Sequence, residues 1–173
     1  MPKTTIGVAI DIPQPWGGEL TAARLAAGDL VAEHVPAHVT LLGPTEIDAA
    51  RLPAIDRHLG EVARAHRPFA VRLRGTGTFR PVTQVVFVAV AAGIASCESL
   101  HAAVLDGFFP PTRYPYHPHV TIAHDVPPEQ LDAAFADLAG YEASFTVGGF
   151  TLFEHEDGGR WRPHAEYRLT ADD

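Results

Sequence analysis

The chain has 173 residues, 46% of them hydrophobic and 20% charged, with a formal net charge of −8. That length suits one domain or two small lobes sharing a core, and the composition excludes a disordered or fibrous chain. The acidic balance excludes an extended non-specific nucleic-acid surface, which needs many Lys and Arg against phosphates, and the lone Cys97 excludes an intrachain disulfide.

Taken in chain order, Ile6–Ile12 is β-branched and interrupted by Asp11. It predicts a first strand and is too short and wrongly flanked for a signal peptide. No later run approaches a membrane span, so a cytoplasmic protein without membrane contact is expected. From Gly18 to Glu33, Ala and Leu recur at helical spacing, and Gly28 weakens the last part. "HVTLL", bounded by Pro36 and Gly43-Pro44, predicts a short strand. Asp48 is an N-cap for a helix to about His66, with Pro53 near its start. "FAVRLRGTGTF" and "VTQVVFVAVAA" read as adjacent antiparallel strands joined at Arg80-Pro81. Ser96 can cap a helix through Phe108. The proline-rich loop "FPPTRYPYHP" leads into "HVTIA", and Pro128–Leu138 predicts a further helix. "SFTVGGFTLFEH" and "RWRPHAEYRL" close the chain as two strands joined by the hairpin signal "EDGG".

The order of these elements repeats. A His-Val-Thr strand, a helix and a Phe-led strand with glycines occur at His38, Ala49–His66 and Phe69–Phe79. They occur again at His119, Pro128–Leu138 and Phe145–Phe153. The repeated motifs span residues 36–42 and 117–123. The period is too long for a solenoid. With no linker between the copies, the expectation is a single α+β unit over 1–173, bilobal and pseudo-symmetric. Each lobe would carry an antiparallel sheet and helices, with an active-site cleft between them.

Residues i and i+2 of a strand share a face, ~6–7 Å apart. His38 and Thr40 therefore point one way, as do His119 and Thr121, while Val39 and Val120 point into the packing behind. An imidazole with a pKa near ~6.5 can take a proton while a second donates one, each role adding ~10²–10⁴ in rate. Threonine hydroxyls can hold non-bridging phosphate oxygens between them. Such chemistry needs no metal or cofactor, and none is expected here.

The paired His-x-Thr motifs resemble the 2H phosphoesterase superfamily, also called the LigT-like or 2′-5′ RNA ligase family. The likeness runs from Ile6 to about Phe153 through "PAHVTLLGP", "RLRGTGTF", "VVFVAV", "SLHAAV" and "YHPHVTIAH". It implies two pseudo-symmetric α+β lobes and a catalytic tetrad of His38, Thr40, His119 and Thr121, with His119 as base. It also implies opening of cyclic phosphodiesters such as 2′,3′-cyclic phosphate nucleotide or RNA ends. Reversible 2′-5′ joining at the same site, or non-catalytic binding of nucleotides or RNA ends, are the alternatives. Many members carry Arg or Lys shortly after the second motif, where this chain has His124-Asp125. A weaker or different phosphate contact is expected there.

Other candidates are readable from position alone. Phe79 could stack on a base or pack in the core. Arg80, Arg113, Tyr114 and Tyr116 lie on segments that either rim the cleft or stay solvated. His117 shares strand parity with His119. His124, of opposite parity, would point away if the strand continued regularly; both are carried as candidate substrate contacts. The ligands to complete a zinc site are not evident. Of the 10 histidines, His34, His58, His66, His101, His155 and His164 read as surface or helix-end residues. Trp16 reads as a lid or a local anchor, Cys97 as an inert helix residue, and the glycines of "GTGTF" as allowing a bulge or a close approach. A monomer is expected.

Overall fold

A computed structural model describes residues 2–172. Within them, twelve regular elements succeed one another as β1 (Lys3–Asp11), α1 (Trp16–Ala26), β2 (His38–Asp48), α2 (Leu52–Arg64), β3 (Phe69–Thr78), β4 (Val85–Ala92), α3 (Ile94–Leu105), β5 (His119–His124), α4 (Pro128–Asp137), β6 (Glu142–Val147), β7 (Gly149–His155) and β8 (Trp161–Arg168). The strands form two four-stranded antiparallel sheets, in the orders β2-β1-β7-β8 and β5-β4-β3-β6. This is the expected α+β architecture of two similar sheets. Each motif strand is an edge strand, and β2 packs against β5.

The sheets are not contiguous halves of the chain. After β2 the chain crosses through α2 to lay β3 in the second sheet, and β7 returns to the first. The run "SFTVGGFTLFEH", expected as one strand, is therefore two strands in different sheets. Gly148 separates them, and at Gly149 a side chain would strike the Tyr167 carbonyl. β3 and β7 thus exchange sheets, which interlocks the two repeats.

Other boundaries moved for local reasons. The expected helix over Gly18–Glu33 stops at Ala26, because Gly28 turns left-handed at φ +88°, and a 3₁₀ turn over Leu30–Glu33 comes next, capped by Asp29. Asp48 caps a 3₁₀ turn over Ala49–Arg51 that runs on into α2. Ser96 lies inside α3 rather than capping it. The helix begins after Gly93, held at φ +94°, where a Cβ would lie 2.6 Å from the Ala70 carbonyl. The strand at His38 does not stop at Gly43-Pro44. Pro44 is tolerated because it falls in an unpaired bulge of an edge strand.

One hydrophobic cluster runs through both sheets and all four helices. α2 shows how the pattern builds it: Ile55, Leu59, Val62 and Ala63 recur at i, i+4, i+7 and i+8 and are all buried. Cys97, Leu100 and Val104 of α3 and Leu131 of α4 are fully buried in the same cluster.

Candidate active site

The two motifs are matched in the details of their backbone. In β2 the pairing with β1 slips between Thr40 and Leu42, leaving Leu41 as an extra residue. In β5 the pairing with β4 slips between Thr121 and Ala123, leaving Ile122. Each strand therefore reads half-buried His, buried Val, half-buried Thr, then two consecutive buried apolar residues. A bulge turns two successive side chains inward and re-aims the residues beyond it. For that reason His124 is not on the opposite face, as regular alternation predicts: the extra residue restores it to the exposed side shared by His119 and Thr121. Its counterpart in β2 is Gly43.

Both imidazoles are held in the same way. His38 Nδ1 lies 2.7 Å from the Pro36 carbonyl, and His119 Nδ1 lies 2.7 Å from the His117 carbonyl. A carbonyl only accepts, so each Nδ1 carries the proton and each Nε2 is the free nitrogen. Neither Nε2, nor Thr40 Oγ1, nor Thr121 Oγ1 has a protein hydrogen-bond partner among the described residues. By contrast, Thr21, Thr45, Thr78 and Thr151 each donate to a nearby oxygen. Four polar groups, two per motif, are left available to a ligand.

Electrostatics bring the motifs together. Burial pushes His38 down to about 4; the Pro36 carbonyl opposes this, and the charges of Arg24 and His119 lower it further. Burial also lowers His119, against the supporting His117 carbonyl. The charge of an imidazole from a distant part of the chain, His119, is thus felt at His38 across adjoining edge strands.

Aromatic rings wall the site. Trp161 lies against His38 at 4.9 Å between centroids, and Phe79 stands edge-on to His119 at 4.9 Å. Phe87 packs on both Phe79 and His119. Its ring covers Gly77, where a Cβ would meet it at 2.5 Å, and Gly75 adopts φ +73° beside a bulge. The glycines of "GTGTF" therefore serve both a bulge and a close approach.

The remaining candidates fall into place around this centre. His117 is exposed and borders Phe79 and Phe87 at 5.5 and 5.3 Å. Tyr116 donates its hydroxyl to the Thr40 carbonyl at 2.7 Å and stacks on His101, whose Nδ1 meets the Leu41 carbonyl. The pair clamps the β2 bulge. Arg80 is drawn to Asp132 of α4 at 2.8 Å, and Tyr114 is 54% exposed beside Arg113. Neither is brought to the histidines by any contact. The His124 side chain lies 3.2 Å from Asp125. Trp16 packs on Phe145 as an anchor, and burial pushes the Cys97 thiol up to about 11.

Three histidines expected at the surface or at helix ends are in neither place. His101 is half-buried as described, His58 stacks on Phe108 at 4.0 Å, and His155 packs on Trp161 with a buried, unpartnered Nε2. Sequence reasoning also passed over Trp161 and Phe87, since nothing in an isolated strand marks which neighbour it meets. Among the described residues, no group of three His, Cys, Asp or Glu could hold a metal ion, and no helix is long and apolar enough to cross a membrane.

Comparison with known proteins agrees with this architecture. Candidate phosphoesterases are similar over most of both chains. That of Oceanobacillus iheyensis is 27% identical over 141 residues, 80% of this chain and 82% of its own. That of Bacillus cereus is 31% identical over 144 residues, 78% and 80%. The structure of TT0787 from Thermus thermophilus superposes with a TM-score of 0.66 at 27% identity, covering 98% of this chain and 100% of that one. E. coli LigT in apo form gives 0.69 at 22% identity, covering 98% and 99%, a likeness of fold. The model of the 2′-5′ RNA ligase superfamily matches residues 12–159, a span that takes in both His-x-Thr strands. The chain belongs to that superfamily.

Proposed function

We propose that this phosphoesterase-family chain hydrolyses cyclic phosphodiesters, of the kind found at 2′,3′-cyclic phosphate ends of nucleotides or RNA. The observation that carries the reading is the matched pair of imidazoles. Each has Nδ1 held by the carbonyl two residues back, leaving two Nε2 atoms and two unpartnered threonine hydroxyls on adjoining strands.

His119 Nε2 takes a proton from a water whose oxygen attacks phosphorus. As the bond from phosphorus to one ribose oxygen breaks, His38, charged as the imidazolium once the anionic phosphate is bound, gives its Nε2 proton to that departing oxygen. One water is consumed and a phosphomonoester with a free hydroxyl remains. Thr40 and Thr121 donate to the non-bridging oxygens, where charge builds in the transition state. The backbone carbonyls behind both rings favour their imidazolium forms, opposing burial. Binding of an anionic phosphate adds a further charge in the same direction. The net charge of −8 suits a small nucleotide or a chain end better than a long RNA. E. coli LigT, which shares this fold, has been crystallised with 3′-AMP and with phosphate.

The test is turnover of 2′,3′-cyclic nucleotides and short RNAs with cyclic ends, with and without EDTA. Turnover should be resistant to EDTA. His38→Ala and His119→Ala should each lower kcat by about 10²–10⁴. Loss of only a few-fold in both variants rejects the scheme, and tight binding without turnover makes the chain a binding module.

A further inference from the structure

The second motif strand ends in His124-Asp125, with no Lys or Arg, and the structure supplies a cation beside that position. Arg24 is 7% exposed, on the face of α1 that also carries Gly17 and Leu20. One turn earlier, Thr21 accepts the Ala37 N–H at 3.1 Å, so this face runs along the segment leading into His38. On its other side, Arg24 Nε donates to Asp29 Oδ2 at 2.7 Å, and the same oxygen receives the His124 backbone N–H at 3.1 Å. Through Thr21 and the Arg24–Asp29 pair, the end of α1 thus reaches both the start of one motif strand and the end of the other.

We propose that Arg24 is the phosphate-binding cation of this site, donating from its Nη atoms to a non-bridging oxygen of a phosphoester seated between His38 and His119. The proposal rests on the phosphodiesterase reading above and deepens it. Of the five donors of a guanidinium, only Nε–H is engaged among the described residues. Among the described residues the Nη atoms have no protein acceptor. They are not sealed off either, since the only buried unpartnered side-chain polar atom among those residues is His155 Nε2. Asp29 does not depend on Arg24 alone, because the Val31 and His124 N–H groups also donate to it. The positive charge of Arg24 also lowers the proton affinity of the His38 ring. A planar fork carried on a helix can meet two oxygens of one phosphate, which no residue at His124 does here.

The experiment is calorimetric titration of inorganic phosphate into wild type, Arg24→Gln, Arg24→Lys and Asp29→Asn, with turnover of a 2′,3′-cyclic nucleotide and NMR titration of His38 alongside. Arg24→Gln should weaken phosphate binding at least tenfold, raise KM and move the His38 titration to higher pH. Asp29→Asn, which keeps the cation and removes its internal counter-charge, should bind phosphate at least as well as wild type. Equal weakening in Arg24→Gln and Asp29→Asn assigns Arg24 to the ion pair alone and overturns the proposal, as does unchanged phosphate binding in Arg24→Gln. If the Gln variant does not fold, Arg24→Lys decides: phosphate binding weakened severalfold while Asp29→Asn is unaffected supports it, and wild-type binding overturns it. A wild type that binds phosphate through Arg24 yet turns over no cyclic substrate supports this inference while the phosphodiesterase reading falls.

Discussion

His38 is where structure and chemistry pull hardest against each other. Burial holds its folded pKa near 4, well below the ordinary 6.5. The fold therefore favours the neutral ring, and the unfolded chain takes up the proton first as pH falls. Stability from this group is present above 6.5, is lost between 6.5 and about 4, and falls no further below that. The difference corresponds to roughly 3 kcal/mol at about 1.4 kcal/mol per pH unit. Urea unfolding at pH 7 and pH 4.5 should show His38→Gln losing markedly less stability than wild type over that interval; equal losses would refute the assignment. A group that must act as an acid while so depressed needs its substrate's charge. The kcat profile should accordingly lie at higher pH than the kcat/KM profile, and coincident profiles would count against the proton roles given to the pair. The threonines make a separate test. Because neither hydroxyl has a protein partner among the described residues, Thr40→Val and Thr121→Val should leave stability within about 1 kcal/mol. They should lower kcat/KM by roughly 10–100-fold, the worth of a hydrogen bond to a charged group.

At the scale of elements, the site is made by irregularities in otherwise ordinary strands. The bulges at Leu41 and Ile122 keep His and Thr on one surface while seating Leu42 and Ala123 in the core. The helix before each motif holds the strand of the other: His101 of α3 meets the Leu41 carbonyl, and Asp29, just past α1, receives the His124 N–H. In β3, Gly77 leaves room for the Phe87 ring, which packs against His119. Gly77→Ala should cost about 1–3 kcal/mol through overpacking and depress turnover by displacing Phe87. Gly43→Ala, whose Cβ meets nothing within 4 Å, is the matched control with little effect. If the two variants behave alike in thermal unfolding and turnover, Phe87 does not support the site.

For the whole molecule, the exchange of strands between sheets is the governing fact. One core cluster draws on both sheets and every helix, so neither sheet can lose its packing alone. Unfolding in urea should pass through one transition, coincident by fluorescence and circular dichroism. Two separated transitions would mean that the lobes are independent. Leu59→Ala, at a fully buried position of α2, should cost about 2–5 kcal/mol and act on that single transition.

The residues themselves determined the motif pair, the strand and helix types, the hairpin at "EDGG" and the α+β class. These depend on periodicity and on turn chemistry, which are local. The tertiary structure decided what local patterns cannot encode. Strand pairing sent β3 and β7 into each other's sheets, and inter-strand slips returned His124 to the face it would otherwise have left. Burial set the His38 proton affinity, and a helix far upstream brought the Arg24–Asp29 pair to the backbone of His124. Each of these depends on which distant surface a residue meets, and that is settled only when the sheets pair and the core closes.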